Sequence, residues 1–460
     1  MKRFYWNILL VTSFVCPLSL WGQEREEIAH EADSLQLSLA DALHIGLSEN
    51  TSVRIADISV EKQAYAHRDK IASLFPKIDG SISYSYTFKK PVIFLQMPGM
   101  PEPRGIEMGQ THNLQLSATA AMPLIAPQLW ESIAMSSSQM SLSLEKARSA
   151  KIDMVEEIRK AYMAALLAER SCEVLLASYN NARGNYKQIE DQFAQGLIAD
   201  FDRLRAEVQV MNIEPNLLKA EQSSRLAKKR LCVLLAIDPD TPIVLTEHLS
   251  DYANRLYQAY FNRDTNFDNN SSLRQLAIQD SLLVKSKRIK QWEYLPTLSV
   301  ATNYSYGYMN NEFKLSESKL WTPNAALNFQ LSIPIFSSGK RYFGVKQADA
   351  DLTMLRLQRT DTQRQISLAI DQQNDRMETA IKSYGAAHKA VGAAEKGYSI
   401  ARKRYESGAG TLLEVNDADL QLLQARLNED QAVYEFMTAM FALEKLTGKG
   451  IPKEYNERKD

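Results

Sequence analysis

Four short segments of the chain alternate between apolar and polar residues. In residues 77–90, KIDGSISYSYTFKK, isoleucine, tyrosine and phenylalanine dominate every second position, with serine, aspartate, threonine and lysine between them. Because successive side chains of an extended strand point to opposite faces, each such segment has one apolar and one polar face. The pattern predicts strands at about 78–88, 113–122, 297–308 and 325–333.

Two much longer stretches repeat their apolar residues every seven positions. One row falls on Ile370, Met377, Tyr384, Val391, Tyr398 and Tyr405, with alanines three positions after most of them. A sustained seven-residue repeat is typical of helices that supercoil around neighbours. It predicts long helices at about 127–195 and 337–406, each followed by a return helix, at about 200–236 and 412–447. At 1.5 Å per residue each long helix spans about 100 Å, which is too long for one globular core.

The chain is a tandem duplication. LFPKIDGSISYSY (74–86) resembles YLPTLSVATNYSY (294–306), and FAQGLIADFDRLRAEVQ (193–209) resembles YESGAGTLLEVNDADLQ (405–421). We therefore predict a first structural repeat at 23–240, a second at 241–447 and a polar tail at 448–460. The first repeat opens with a helix of moderate length at SLAD (38–41), where Ser38 can cap the helix and Asp41 lies in its first turn.

Composition narrows the class of protein. The 54 basic and 55 acidic residues nearly cancel, so charge gives no indication of nucleic-acid binding. Residues 1–22 combine a basic start with an apolar middle and are predicted to be a cleaved signal peptide; the residues before Cys16 match a lipoprotein cleavage site poorly. Cys172 and Cys232 are predicted to lie too far apart along their helices for a disulfide.

The residues indicate no catalytic chemistry. The six histidines are scattered without a metal-binding spacing, and the GAG sequence at 408–410 lacks the lysine of a phosphate-binding loop. We predict neither a catalytic site, a metal site nor a cofactor.

The apolar faces of the four strands require a partner. The strands of a transmembrane β-barrel typically have an apolar outer face, a polar inner face and tyrosines near their ends. Each predicted strand is also long enough to cross a bilayer at a tilt. Four strands cannot close a barrel, so two or three copies must share one, and the pattern leaves that choice open. A soluble sandwich is the alternative, but no further strands are available for a second sheet. The predicted lipid-facing residues are Ile82, Tyr84, Tyr86, Leu116, Tyr304, Tyr306, Phe329 and Leu331.

The chain resembles the TolC-like outer-membrane efflux proteins in the order of its segments and in their duplication. The segments that carry the resemblance are the SLADAL opening, the strand pairs that end in MPLI (122–125) and IPIF (333–336), and the Gly196 and Gly408 turns. The resemblance implies an α+β membrane protein that forms a homotrimer, with a twelve-stranded β-barrel in the outer membrane. An α-helical coiled-coil tunnel would continue it across the periplasm. It also implies an exit duct for a tripartite efflux pump or a type I secretion system. Its partners would be a periplasmic adaptor (membrane fusion) protein and an inner-membrane transporter.

The resemblance assigns roles to the two turns between long and return helices. It implies a periplasmic entrance or gate at Asp202, Tyr405, Glu414 and Asp417. It also implies an adaptor-docking tip at Gly196, Leu197, Asp200, Gly408, Gly410 and Thr411. The gate arginine of the family falls on Gly410, and Arg203 or Arg205 could replace it.

A purely structural role is the alternative for the acidic residues. Asp202 and Glu414 lie in first helical turns, where negative charge favours the helix dipole, and Thr411 to Glu414 is a predicted capping box. For the whole chain, the alternative is a periplasmic or surface coiled-coil protein of structural or adhesin-like type. That class would explain the seven-residue repeat but leave the two-faced strands without a purpose.

Overall fold

A computed structural model describes residues 35–95 and 104–450, which are mostly helical. The predicted signal peptide and most of the predicted polar tail lie outside these residues. The first repeat contains β1 (Leu35–Leu37), α1 (Leu39–Glu49), α2 (Thr51–Ala72), β2 (Lys77–Tyr86), β3 (Val92–Leu95), β4 (Arg104–Glu107), β5 (His112–Ile125), α3 (Pro127–Ala194) and α4 (Asp200–Leu234). After it come β6 (Ile243–Leu245), α5 (Leu249–Ala253), α6 (Leu256–Phe261), α7 (Ser271–Trp292), β7 (Thr297–Asn310), β8 (Trp321–Ser332), α8 (Lys340–Glu406) and α9 (Leu412–Leu446).

The duplication is confirmed at the level of whole elements. Helices α2 and α7 both have 22 residues and start 220 positions apart (271 − 51). Helices α4 and α9 both have 35 residues and start 212 positions apart (412 − 200). Sequence analysis did not predict the elements that come before α7 in the second repeat, where β6 pairs in parallel with β1 and is followed by α5 and α6.

The predicted opening helix is two helices rather than one. The capping box of Ser38 and Asp41 starts α1 as expected, but Asn50 is extended and ends it. The Asn50 side-chain oxygen accepts from the backbone N–H of Ser52 at 2.7 Å and so caps α2, while its amide nitrogen donates to the carbonyl of Leu234 at 2.8 Å. The single helix was therefore a wrong prediction, because an asparagine cap lies inside the apolar pattern.

Asn270 repeats this arrangement in the second half. Its oxygen accepts from the backbone N–H of Ser272 at 2.9 Å, and its nitrogen donates to the carbonyl of Leu446 at 2.8 Å. Each asparagine therefore joins the start of a short helix to the end of a return helix.

The long helices form two antiparallel hairpins, α3 with α4 and α8 with α9. With 68 and 67 residues, α3 and α8 each span about 100 Å. Helix α8 starts three residues later than predicted, because Ser338 and Gly339 have positive φ angles and form a turn before it. Cys172 and Cys232 are free thiols. Among the described residues no helix combines the length and the apolar character needed to cross a membrane.

The four predicted strands form one antiparallel sheet in the order β2–β5–β7–β8. Its register aligns Ile82, Leu116 and Tyr306 in one row across three strands, and Ser81, Ser117 and Ser305 in the adjacent row. Directly opposed residues share a face, so the aligned rows give the sheet one apolar and one polar face. A separate hairpin of β3 and β4, which was not predicted, lies between β2 and β5.

The largest core of the described residues lies where the hairpins meet β1, β6, α5 and α6. Ile158 and Tyr162 of α3 and Phe436 of α9 are fully buried there. The Tyr162 hydroxyl donates to the carbonyl of Leu37 in β1 at 3.1 Å. The contact between α3 and α9 therefore joins the two repeats within one chain.

Candidate functional site

The first hairpin turn is formed by the backbone of Gly196. Its φ is +74°, which lies in the left-handed region that glycine adopts readily. Its N–H donates to the carbonyl of Phe193 at 2.8 Å. The N–H of Leu197 donates to the carbonyl of Gln192 at 3.0 Å. These two bonds close the end of α3 and reverse the chain, so that α4 starts with Asp200 in its first turn.

The second turn repeats the first around Gly408, whose φ is +76°. Thr411 then starts α9, and its hydroxyl accepts from the N–H of Glu414 at 3.3 Å. This is one half of the predicted capping box. The other half is not formed, because the Glu414 carboxylate lies 3.6 Å from the Arg404 guanidinium instead.

Gly410 occupies a closely packed position. A Cβ atom there would lie 3.0 Å from Cβ of Arg404 and 3.1 Å from the backbone nitrogen of Tyr405. The position that corresponds to the arginine of the TolC-like pattern therefore has little room for a side chain. The arginine beside this turn is Arg404, which donates to the carbonyl of Ala409 at 3.1 Å and which sequence analysis did not identify.

A small core holds the two turns side by side. Ile189 of α3, Ala206 of α4 and Leu412 of α9 are buried together, and Tyr186 and Tyr405 pack against them. All four long and return helices contribute a residue, so the tips of both hairpins form one unit.

The structure brings two of the predicted entrance residues together. Burial raises the pKa of the Tyr405 hydroxyl, and the nearby charge of Asp202 raises it further. Glu414 is exposed beside Arg404, and Asp417 is exposed one turn further along α9. The four residues lie at the same end of the hairpins, and the charge of Asp202 acts on the Tyr405 hydroxyl.

The predicted docking residues lie at the exposed end of the hairpins. Leu197 is 70% exposed, and Gly196, Asp200, Gly408 and Thr411 are exposed as well, whereas Gly410 is half-buried. The Asp200 carboxylate accepts from Nε of Arg203 at 2.8 Å.

Arg203, one of the two possible substitutes for a gate arginine, is thereby engaged within its own tip, and its guanidinium also lies 5.4 Å from the centre of the Phe193 ring. Arg205, the other possible substitute, is exposed.

The end of the hairpins is acidic overall. Residues 190–207 and 402–417 contain eight carboxylates (five and three) and five basic side chains (two and three), a net charge of −3 per chain.

A buried polar cluster behind the tips was missed by sequence analysis. Asp419 of α9 is 8% exposed and accepts from the hydroxyl of Ser178 at 2.5 Å and from the amide of Asn181 at 3.1 Å, both on α3. Asp419 takes a place in the buried row of α9 between Val415 and Leu422. In the sequence, a carboxylate in an otherwise apolar row was the feature that could have indicated this cluster.

A second polar group lies farther from the tips, in a cavity of about 380 Å³ between α3, α5, α8 and α9. Burial raises the pKa of the Asp430 carboxyl to about 6. The charge of Arg170 opposes this shift, and the charge of Glu429 adds to it. Oδ2 of Asp430 lies 3.4 Å from Nε of Arg170 but makes no hydrogen bond.

At the end of the long hairpins opposite the tips, the sheet exposes its apolar face. Ile82 and Phe329 are 75% and 65% exposed, and Tyr84, Tyr86, Tyr304, Tyr306 and Leu331 are exposed as well, with Leu116 half-buried. The other face carries small polar groups, such as the Ser81 and Ser117 hydroxyls at 2.7 Å. In the described residues β2 and β8 each have one edge without a partner strand.

Comparisons with known proteins agree on one family. The profile described as "Outer membrane efflux protein" matches residues 42–236 and 264–449. No curated protein sequence matches the chain.

Several solved structures share the fold. The CmeC outer membrane channel of Campylobacter jejuni has a TM-score of 0.70 at 18% identity, over 92% of this chain and 87% of that one. The outer membrane protein VceC of Vibrio cholerae has a TM-score of 0.69 at 16% identity, over 90% and 97%. The open-state MtrE outer membrane channel of Neisseria gonorrhoeae has a TM-score of 0.69 at 15% identity, over 90% and 89%.

Proposed function

The chain belongs to the outer membrane efflux protein family, and we propose that it is the outer-membrane exit duct of a tripartite efflux pump or a type I secretion system. It conducts substrates passively from a periplasmic adaptor–transporter complex to the exterior. One observation carries this proposal: a four-stranded sheet with an apolar outer face and two open edges continues directly into hairpins about 100 Å long.

The open edges support assembly into a closed barrel. Each unpaired backbone group in lipid costs several kcal/mol, so β2 and β8 need strand partners in the membrane. The edge strand of a second copy can provide them, since β2 and β8 are the two ends of one antiparallel sheet. Three copies form twelve strands, with Ile82, Phe329 and the other exposed apolar residues of the sheet facing lipid.

The helices support the same assembly. Within the chain α9 packs against α3, and the duplication relates this pair to α4 and α8. Helix α4, however, leaves an apolar stripe at seven-residue spacing exposed on its free side. We infer that α8 of a second copy covers this stripe, as α3 covers α9. The stripe consists of Leu204, Met211 and Leu218, each between 45% and 58% exposed.

The hairpin tips form the periplasmic entrance in this proposal. The adaptor docks on their exposed surface, where Leu197 offers an apolar contact between the Gly196 and Asp200 backbones. The corresponding surface of the second hairpin consists of Gly408, Gly410 and Thr411.

Threefold repetition of a net charge of −3 concentrates negative potential at a narrow entrance and gives weak cation preference. The double variant Glu414→Gln plus Asp417→Asn tests this: a reduced ratio of cation to anion permeability is expected, and an unchanged ratio removes both residues from the role.

A single experiment tests the proposed function. The protein is extracted from the outer-membrane fraction in detergent, its mass is measured by light scattering, and its ion conductance is recorded in a planar bilayer. A trimer that conducts ions supports the proposal. A water-soluble monomer or a non-conducting fibre refutes it and favours the structural or adhesin-like class.

A further inference from the structure

The helices near the middle of the hairpins have one covered face and one open face. Leu166 of α3 and Val433 of α9 line the cavity beneath α5. Ala164 and Glu435 lie two positions away on the same helices, which is about 200° around a helix of 3.6 residues per turn, and each lines a further cavity. These two cavities therefore lie on the face opposite to α5.

In the proposed trimer the open face lines the tunnel. Three copies of α3, α4, α8 and α9 form a ring of helices, whose radius is about 15–19 Å if neighbouring axes are about 8–10 Å apart. Helices are about 10 Å thick, so the space inside the ring has a radius of about 10–14 Å. Three copies of α5 and α6 would fill this space and block the duct. They therefore lie outside the ring, and the two cavities lie inside it.

The two cavities are duplicates of one groove between a long helix and its return helix. The α8–α9 groove has a volume of about 560 Å³ and the α3–α4 groove about 600 Å³. Counterparts lie 212 positions apart (406 − 194 and 412 − 200), and Arg376 and Ala439 of the one lining correspond to Ala164 and Ala227 of the other. Both volumes lie in the range of about 300–1,000 Å³ that is typical of small-molecule sites.

The α8–α9 groove has opposite charges on its two helices. Arg376 of α8 and Glu435 of α9 are exposed, and in the described part of the chain neither has an ion-pair partner. Glu435 accepts from the side-chain amide of Gln431 on its own helix, at 2.8 Å. Ala439 is 4% exposed and gives the groove an apolar floor. Asp375 also lines this groove, on the same helix as Arg376.

The α3–α4 groove has the same combination of charges with the helices exchanged. Here the exposed glutamate, Glu157, is on the long helix, and the exposed arginine, Arg230, is on the return helix. Within the residues that the structure describes, these two side chains also make no ion pair. The counterpart of Arg230 is Ala442, so the charges of the two grooves are not copies of each other.

Apart from Asp375, the other charged residues of the two linings are already paired. Lys160 and Lys445 bind the carboxylate of Glu156, and Lys445 also binds Asp153 at 2.8 Å. These pairs leave one arginine and one glutamate, on the two helices of each groove, to meet a guest.

This arrangement suits a molecule that carries both charges on an apolar body. A guanidinium binds a carboxylate through two parallel hydrogen bonds, and a carboxylate accepts hydrogen bonds from an ammonium group. The alanine floor contacts the apolar body. Exposed ion pairs are weak, so the guest is released again, as passage through a duct requires.

We propose that the two grooves are binding sites in the tunnel for zwitterionic amphipathic molecules. Arg376 and Arg230 bind the carboxylate of the guest, and Glu435 and Glu157 bind its ammonium group. The proposal rests on the proposed function, because the grooves face a tunnel only in the trimer, and it identifies one class of cargo.

Block of the ion current through the full-length trimer in a planar bilayer tests the proposal. Three probes share the dansyl group: ε-dansyl-lysine is a zwitterion, dansylcadaverine carries only an ammonium group, and dansylglycine carries only a carboxylate. The zwitterion is expected to halve the current at a concentration about threefold or more below that of either singly charged probe, averaged over both signs of the applied voltage.

Two double variants each remove one kind of charge from both grooves. Arg230→Gln plus Arg376→Gln is expected to raise the half-blocking concentration of ε-dansyl-lysine to that of dansylcadaverine, because the carboxylate is no longer bound. Glu157→Gln plus Glu435→Gln is expected to raise it to that of dansylglycine, because the ammonium group is no longer bound.

The matched control is Glu173→Gln plus Glu429→Gln. It removes one carboxylate each from α3 and α9, as the glutamate double variant does, but in the cavity beneath α5. Block by all three probes is expected to stay as in the unmodified protein.

Equal block by the three probes overturns the proposal, and so does a preference for the zwitterion that survives in either double variant or is lost in the control. The four exchanged side chains are exposed, so both double variants are expected to form trimers. Loss of the trimer in either of them also overturns the proposal, because the charges would then serve assembly. Failure of the unmodified trimer to conduct refutes the proposed function instead.

Discussion

Asp430→Asn is expected to stabilise the protein at neutral pH. The carboxylate is charged and 14% exposed, and Oδ2 is enclosed without a hydrogen bond. Asparagine keeps the size of the side chain and removes the charge that burial disfavours. Arg170 retains a carboxylate partner, because Glu173 lies 3.0 Å from it.

The pKa of Asp430 sets the size of this effect and its dependence on pH. The interval between the ordinary value of 3.8 and about 6 corresponds, at 1.36 kcal/mol per pKa unit, to about 3 kcal/mol. This is the upper limit of the gain, because the asparagine amide is buried at a position without a hydrogen-bond partner. Because the folded-state pKa is raised, the full destabilisation is present above pH 6. As the pH falls from 6 towards 3.8, the folded protein binds the proton before the unfolded chain does, and the destabilisation disappears.

Thermal melts followed by circular dichroism at about pH 8 and about pH 4 measure the effect. Asp430→Asn is expected to melt above the unmodified protein at the higher pH and close to it at the lower. Asp371→Asn, on the exposed side of α8, removes a charge without burial and is expected to change neither melt. The reasoning is refuted if Asp430→Asn fails to stabilise at the higher pH or stabilises equally at both.

Three further predictions concern assembly, capping and turn geometry. Leu218→Glu places a charge in the apolar stripe of α4 and is expected to shift the proposed trimer to smaller species in light scattering. An intact trimer contradicts the assignment of that stripe. Asn50→Ala and Asn270→Ala each remove a helix cap and a bond to a return helix. Each is expected to lower the free energy of unfolding by about 1–3 kcal/mol, and a loss from only one of them would show that the two caps are not equivalent. Gly408→Ala forces a φ of +76° on alanine, at a position where no atom lies within 4 Å of the new Cβ. The free energy of unfolding is therefore expected to fall by about 1–2 kcal/mol in the same denaturation, because of backbone strain alone. No loss is expected if the turn rearranges freely.

The strands and long helices could be predicted because their physics is local and periodic. Alternation in residues 77–90 indicates a strand, and the register of the sheet aligns Ile82 with Leu116 and Tyr306 as that alternation requires. The seven-residue rows likewise indicated helices close to the bounds that α3 and α8 have.

Elements that depend on distant contacts could not be predicted. Strands β1 and β6 have three residues each and pair across more than 200 positions, so neither has a periodic pattern of its own. Asn50 is inconspicuous in the sequence until its bond to the carbonyl of Leu234 is known. Asp419 stands out as a carboxylate in an apolar row, but its partners lie about 240 positions earlier in the chain and could not be identified from that pattern.

The two offsets of the duplication, 220 before the sheet and 212 after it, differ by eight residues, and the surplus lies in the connection from β2 to β5 that contains the β3–β4 hairpin. This connection is therefore longer than its counterpart between β7 and β8. The difference does not displace the paired helices, because the two strands on either side of each connection lie side by side and bring the chain back to the same end of the sheet. Helices α2 and α7, and α4 and α9, keep the same lengths in spite of this difference. In the proposed ring of three copies, long and short connections would alternate around the rim, so that this surface would have threefold symmetry although the strands beneath it would be nearly sixfold.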